Sequence, residues 1–169
     1  VFRGWAAGPR IAGLASIILL AACSPPQSSA EPSVPPKPGL EFRIAATEPC
    51  LACEEVPRPP PQTTLYLQRR PLLTSADIAG IAKARDPFSG MSALQFTFRK
   101  DAQKRILAVT AEHVGKIGTW VKDGQIISEV RISGPFSESM QLTGIESGER
   151  DRLYGLLTGI KEPKALKQP

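Results

Sequence analysis

The sequence contains few of the side chains on which catalysis and metal binding usually depend. Among its 169 residues are one histidine and three cysteines, so a zinc site with four ligands would need all of them. No GxGxxG, GxxxxGK[ST] or GxSxG motif occurs in the chain, which argues against the common nucleotide-binding folds and a hydrolase nucleophile elbow. The net charge of +5 is too small and too evenly spread for a nucleic-acid-binding surface. We therefore expect no enzyme, cofactor, metal site or nucleic-acid partner.

Long apolar runs are absent after the first 22 residues. Arg3 and Arg10 precede an apolar run over residues 11–20, which is too short to span a bilayer as a stable helix. A basic start followed by a short apolar run is typical of an export signal. The sequence therefore predicts a signal peptide over residues 1–22.

The end of this signal carries a more specific pattern. Leu20-Ala21-Ala22-Cys23 resembles the lipobox of bacterial lipoproteins. The resemblance implies cleavage before Cys23 and attachment of acyl chains, of which palmitate is a common one, so that lipid anchors the chain to a membrane. Ser24 follows in place of Asp, a pattern that in enteric lipoproteins favours the outer membrane over the inner one, facing the periplasm. The alternative is an ordinary signal peptide with a chance cysteine.

Proline is the most unevenly distributed residue. The chain has 17 prolines, and 12 of them lie within residues 9–61. Residues 24–39 hold six of them together with polar side chains, a composition typical of a semi-extended linker. We therefore divide the chain into a signal peptide (1–22), a tether (23–39), a folded domain (40–159) and a flexible tail (160–169).

Cys50 and Cys53 form a CxxC pair at the start of the folded part. In an oxidising compartment such a pair favours a structural disulfide, and the count of cysteines other than Cys23 is even. A thiol-redox site is the alternative, because catalytic CxxC pairs lie at a helix N-terminus that lowers a thiol pKa. Here Glu54 and Glu55 follow and Pro57 prevents a helix, so the disulfide is the preferred interpretation.

The remaining pattern mixes strands and helices. Alternation and capping signals predict strands over residues 40–44, 63–68, 91–99, 117–122, 125–132 and 139–142, and helices over about 74–85, 101–114 and 147–157. Asp123-Gly124 between two strands predicts a type I′ hairpin turn. This order indicates an α+β fold, with a mostly antiparallel sheet and helices packed on one face.

Several stretches of this region resemble the periplasmic head subdomain of SecD, the protein-export membrane protein. The stretches, all within residues 40–159, are Leu40-Glu41-Phe42-Arg43, Leu65-Tyr66-Leu67, Leu72 to Ile78, Phe96-Thr97-Phe98, Val114-Gly115-Lys116, Asp123 to Ser128 and Leu153 to Leu157. The resemblance implies a ferredoxin-like α+β fold and a surface that touches an emerging polypeptide. It implies no energy-coupled export, because the membrane helices of that family are absent from this sequence.

The chain also departs from the family within the hairpin. Gly118, Thr119 and Lys122 interrupt a strand that is nearly all aliphatic in the family. Where the family usually has a small residue followed by proline, this chain has Glu129 and Val130. These departures weaken the expectation of a polypeptide-facing surface more than the expectation of the fold.

Two function classes follow from the sequence. The preferred hypothesis is a membrane-anchored, non-catalytic module that binds unfolded polypeptide or envelope and export proteins through Trp120, Asp123 and Gly124 of the hairpin. The alternative is a structural envelope lipoprotein without a client; a thiol-redox protein using Cys50 and Cys53 is a third hypothesis. Trp120 is either half-buried against a helix or an exposed contact. Exposed apolar groups beside the hairpin would favour the binding module, and a fully polar surface the structural protein.

Overall fold

The computed structural model describes residues 32–56, 58 and 64–160. The signal peptide, Cys23 and the tail from residue 161 onward lie outside the described residues. The described strands and helices, in chain order, are β1 (Leu40–Ala46), β2 (Cys53–Val56), β3 (Leu65–Gln68), β4 (Leu73–Thr74), β5 (Ile78–Arg85), β6 (Ser92–Phe98), α1 (Lys100–Ala111), β7 (Ile117–Lys122), β8 (Gln125–Arg131), β9 (Ser139–Leu142) and α2 (Ser147–Thr158).

The strands form two antiparallel sheets. The larger sheet has the order β2-β3-β1-β7-β8, with β4 also paired to β1, and the smaller has the order β5-β6-β9. Every strand pair in both sheets is antiparallel. The predicted α+β class with mostly antiparallel sheets is therefore confirmed.

The main core lies where the two sheets and both helices meet. Trp120 of β7 stacks on Phe96 of β6, with ring centroids 4.7 Å apart, and Phe42 of β1 packs beside it at 4.9 Å. Ile106 of α1 and Leu157 of α2 belong to the same buried cluster. Because residues paired across an antiparallel ladder share a face, each sheet contributes one continuous apolar face to this core.

A smaller apolar cluster occupies the opposite face of the larger sheet. It consists of Ala45, Leu65, Leu67 and Val121. On the same face, Arg58 of the loop after β2 forms an ion pair with Glu129 of β8, with 2.6 Å between Nη1 and Oε1. Since β2 and β8 are the two terminal strands, the pair shows that the sheet curls enough for a loop to bridge its ends.

The predicted helix over residues 74–85 is wrong. The capping box of Thr74 and Asp77 does form, but it starts only a 3₁₀ turn, Ser75–Asp77, and β5 follows. A β-bulge between Ile78 and Gly80 places Ile78 opposite Phe98 and Ile81 opposite Phe96. Two residues three positions apart thus share a face of a strand, and this spacing imitates the apolar face of a helix.

Residues 32–39 are packed on the domain, although the sequence assigned them to the tether. Val34 exchanges backbone hydrogen bonds with Ile81 at 2.9 and 2.8 Å and adds an antiparallel bridge to β5. Gly80 makes room for this segment, because a Cβ there would lie 2.1 Å from Ser33 Oγ. We call residues 32–39 the strap. The fold therefore begins earlier than residue 40, and the predicted tether over residues 23–31 lies outside the described residues.

Candidate functional site

The β7–β8 hairpin adopts the predicted turn. Asp123 has a φ of 51° and Gly124 a φ of 81°, and a type I′ turn requires positive values at both positions. The N–H of Asp123 donates to the carbonyl of Gly39 at 3.0 Å, and its carboxylate forms an ion pair with Lys122. Both turn residues are exposed. Their role as a polypeptide contact stays a prediction.

The structure corrects the expected role of Trp120. Its side chain is only 1% exposed, so it is neither half-buried against a helix nor available to a partner chain. The alternation of β7 turns Trp120 toward the smaller sheet, where Phe96 covers its ring. Its indole N–H has no hydrogen-bond partner among the described groups. Trp120 is a core residue that joins the two sheets.

Among the described strands, β8 is the edge strand of the hairpin, and Arg58 reaches it through an ion pair with Glu129. This strand ends the larger sheet and pairs, among the described residues, with β7 alone. A bulge lies at Ile127, since Trp120 is opposite Ser128 while the next residue, Val121, is opposite Ile126. Beyond the bulge the ladder is regular from Ser128 to Arg131. An unpaired strand edge of this kind can accept an additional strand.

Apolar side chains flank this edge. Ile126, Ile127 and Val130 of β8 are half-buried, and Val114, just before β7, is 47% exposed. The surface beside the hairpin is thus not fully polar. Of these side chains only Val114 is exposed, so the choice between a binding module and a structural protein stays a prediction.

Cys50 and Cys53 form a disulfide that closes a tight turn. Cys53 is buried at the start of β2, whereas Leu51 at the apex of the turn is fully exposed. A strand and not a helix follows the pair, so no helix N-terminus lowers a thiol pKa here. The turn borders an open groove of about 520 Å³ that is also lined by Lys116 and Arg131. The geometry is that of a structural disulfide.

The described residues show no other feature of a catalytic or metal site. No group of three or more potential metal-ligating side chains is found within them. His113 lies two residues after the end of α1. Its Nδ1 donates to the carbonyl of Val109, in the last turn of that helix, at 2.7 Å. None of the described helices is long and apolar enough to cross a membrane.

Carboxyl groups with perturbed pKa values lie away from the hairpin. A hydrogen bond from Arg152 lowers the pKa of Glu149 on α2. Burial raises the pKa of Asp151, but hydrogen bonds from Arg150 and Lys83 outweigh it, so the net pKa is lowered. These shifts reflect ion pairs on α2.

The sequence did not predict two exposed apolar side chains, Leu51 and Phe88. Leu51 is fully exposed, and Phe88, in the turn between β5 and β6, is 98% exposed. The sequence predicted a helix over residues 74–85, so the turn that carries Phe88 was not expected. The Asp-Pro-Phe-Ser-Gly stretch between two β-rich runs was the available signal for a hairpin turn.

These features define a small, mostly antiparallel α+β domain whose hairpin offers an open strand edge. The family described as SecDF, P1 head subdomain matches residues 52–158, and the chain belongs to this family. The described domain is a SecD-like periplasmic head domain.

Solved structures of SecDF are similar to this chain. One, of SecDF as a membrane component that enhances protein export, is 23% identical with a TM-score of 0.49 and covers 72% of this chain. A second, of SecDF in a super-membrane-facing form, is 26% identical with a TM-score of 0.47, and covers 65% of this chain and 17% of its own. This chain spans 62% of the first structure's length. No curated protein matches the chain.

Proposed function

We propose that this chain is a lipid-anchored envelope protein whose head domain binds unfolded polypeptide and thereby assists protein export. The proposal joins two supports: membership of a family named for a protein-export component, and the open edge of β8. The edge is the observation that carries the binding activity. Backbone hydrogen bonds at a strand edge accept many sequences, as a binder of unfolded chains requires.

The β8 edge suits this role better than the opposite edge of the same sheet. β8 has seven residues, its two exposed charges at Glu129 and Arg131 are of opposite sign, and apolar side chains of its own flank the ladder. β2 has four residues, of which Glu54 and Glu55 are acidic and exposed. A short, charged strand is a poor template for pairing. We therefore assign the contact to the segment Ser128–Arg131, with the Asp123-Gly124 turn at its side.

Site-specific photo-crosslinking tests the assignment. A benzophenone amino acid at Gln125 on β8 should crosslink to a permanently unfolded test polypeptide, and the same group at Glu55 on β2 should not. Both positions are exposed and both lie on terminal strands of one sheet, so the pair is matched. Equal crosslinking at the two positions would contradict the assignment to the β8 edge, and none at either would favour a structural protein without a client.

Cys23 is proposed to carry the lipid anchor. In cells, Cys23→Ser should accumulate as unprocessed precursor, while Ser24→Ala should mature normally. Normal maturation and membrane retention of Cys23→Ser would contradict the anchor. Ser24 supports the outer membrane as the destination, and Ser24→Asp should shift the mature protein to the inner membrane.

A further inference from the structure

The turn between β5 and β6 exposes a large aromatic side chain. Phe88 is 98% exposed, and Met91, three residues later, is 48% exposed. Single exposed apolar side chains are common on protein surfaces. Here, however, two of them share one protruding turn, and no element of the described fold covers Phe88.

The turn is ordered by its own hydrogen bonds. Asp86 Oδ1 accepts the N–H groups of Phe88 and Ser89 at 2.8 and 2.9 Å, and the backbones of Asp86 and Met91 pair at 2.8 Å. The bonds to Ser89 and Phe88 lower the pKa of Asp86, so its carboxylate stays ionised and keeps them. None of these bonds involves the Phe88 side chain. Because the backbone of the turn is already ordered, binding through the Phe88 ring costs little backbone entropy.

The chain enters the fold on the side of this turn. The antiparallel bridge of Val34 to Ile81 places Pro32 level with Lys83, because paired strands run in opposite directions. From that level β5 continues two residues to Arg85 and into the turn, about 7 Å at 3.3–3.4 Å per residue. At Pro32, traced toward the N-terminus, the chain therefore runs toward the end of the smaller sheet that carries the β5–β6 turn.

We infer that the β5–β6 turn, through Phe88 and Met91, inserts into the interfacial region of the membrane to which the chain is anchored. The inference rests on the proposed anchor at Cys23. The nine residue steps between Cys23 and Pro32 would span about 28 Å in a polyproline-like conformation, at about 3.1 Å per residue. The turn projects toward the bilayer from Pro32, so it reaches the surface well before this length is used.

A bilayer suits the turn better than a protein partner. Phe88 is 98% exposed at the tip, whereas Met91 borders an open pocket behind it, and lipid interfaces accept single aromatic groups. Charges near the tip are mixed, since Arg85 and Glu146 line that pocket together and Asp86 lies within the turn. We therefore expect a contact that zwitterionic lipid supports without anionic lipid.

The strength of this contact fits an orienting role. Burying one phenylalanine ring shifts an equilibrium by roughly tenfold to a hundredfold, which is too little to hold a protein on a membrane by itself. For a domain already tethered there, the effective concentration of the surface is high, and the same gain suffices to favour one orientation.

Fluorescence quenching in vesicles tests the contact. The mature lipoprotein is reconstituted into phosphatidylcholine vesicles with bromine on the acyl chains near the interface, as Phe88→Trp and, as control, Leu51→Trp. The two positions are equally exposed, at 98% and 104%, and the buried Trp120 supplies a baseline in the parent. We expect blue-shifted emission and at least threefold more quenching at position 88 than at position 51.

Each other outcome overturns the inference. With the parent retained in carbonate-washed membranes, equal quenching at both positions excludes the turn contact and leaves the anchor standing. A blue shift at position 88 without quenching indicates burial against a second copy of this chain instead of lipid. Release of the parent from washed membranes overturns the anchor and this inference together, whereas crosslinking at Gln125 reports on polypeptide binding independently.

Discussion

Trp120 of β7 and Phe96 of β6 stack with their ring planes 11° apart, although they belong to different sheets. The centroid distance of 4.7 Å makes this stack a direct joint between the larger and the smaller sheet. Ser128 of the edge strand is directly opposite Trp120. The position of the proposed binding edge relative to the rest of the domain therefore depends on a buried aromatic contact.

Removing this contact should destabilise the domain strongly. Trp120→Ala deletes a fully buried indole, and large-to-small changes of this kind cost about 3–5 kcal/mol of unfolding free energy. Trp120→Phe keeps a ring against Phe96 and should cost less than half as much. Chemical denaturation of both variants gives the comparison. A loss below about 1 kcal/mol for Trp120→Ala would show that the stack does not hold the sheets together.

Local signals in the sequence predicted some elements well. The hairpin over β7 and β8 was predicted because Asp123-Gly124 specifies its own turn, and α2 because its apolar residues repeat at helical spacing. The strand β5 was missed because a bulge lets Ile78 and Ile81 share a face. β2 was missed because its pairing with β3 is not encoded within its four residues.

Exposure was harder to predict than secondary structure. The sequence predicted Trp120 to be either half-buried against a helix or an exposed contact. Its burial depends on Phe96, which reaches it from another sheet. The exposure of Phe88 was not predicted because a helix was expected over residues 74–85 in place of β5 and its turn. The burial of Trp120 depends on how the two sheets meet, and no local sequence pattern specifies that contact.

The backbone conformation of the hairpin turn favours glycine at position 124. Its φ of 81° is strained for any residue with a side chain, while nothing lies within 4 Å of the position a Cβ would occupy. Gly124→Val should therefore cost about 1–3 kcal/mol from backbone strain alone. Gly134→Val is the control, because Gly134 has equally open space and no positive φ. Equal unfolding free energies for the two variants would contradict the strain argument.

The disulfide should matter little for stability. Mass spectrometry of the unreduced protein should show two hydrogens fewer than the reduced form and no alkylatable thiol at Cys50 or Cys53. Because the closed loop spans only three residue steps, reduction should cost about 2 kcal/mol or less. Two reactive thiols in protein isolated under non-reducing conditions would revive the thiol-redox hypothesis.

Acid should weaken the contact between Lys83 and Asp151. Lys83 is only 8% exposed, and its ammonium lies 3.2 Å from Asp151 Oδ1 and over the ring of Tyr154. Because the folded state lowers the pKa of Asp151 from 3.8, its contribution is fully present above that pH and is lost as the pH falls further. Asp151→Asn should cost about 1–2 kcal/mol at pH 7, and the difference from the parent should shrink below pH 4.

Glu149→Gln is the control for this prediction. Its pKa is also lowered, by Arg152, but both side chains of that pair are largely exposed, so the loss at pH 7 should stay below about 1 kcal/mol. Urea denaturation of both variants at pH 7 and pH 3 separates the two cases. A loss for Asp151→Asn that is the same at both pH values would show that the carboxylate charge is not involved.

The packing of the strap against β5 should depend on the absence of a side chain at Gly80. Gly80→Ala places a Cβ 2.1 Å from Ser33 Oγ, so Ser33 must move and the bridge between Val34 and Ile81 should weaken. Hydrogen exchange at these two amides should then become at least tenfold faster, while amides of β7 keep their protection. Adding Ser33→Gly to Gly80→Ala removes the clashing atoms and should restore slow exchange. If exchange stays slow in Gly80→Ala alone, the strap accommodates the added methyl group. The close approach of Ser33 to Gly80 would then not fix the path of the strap along β5.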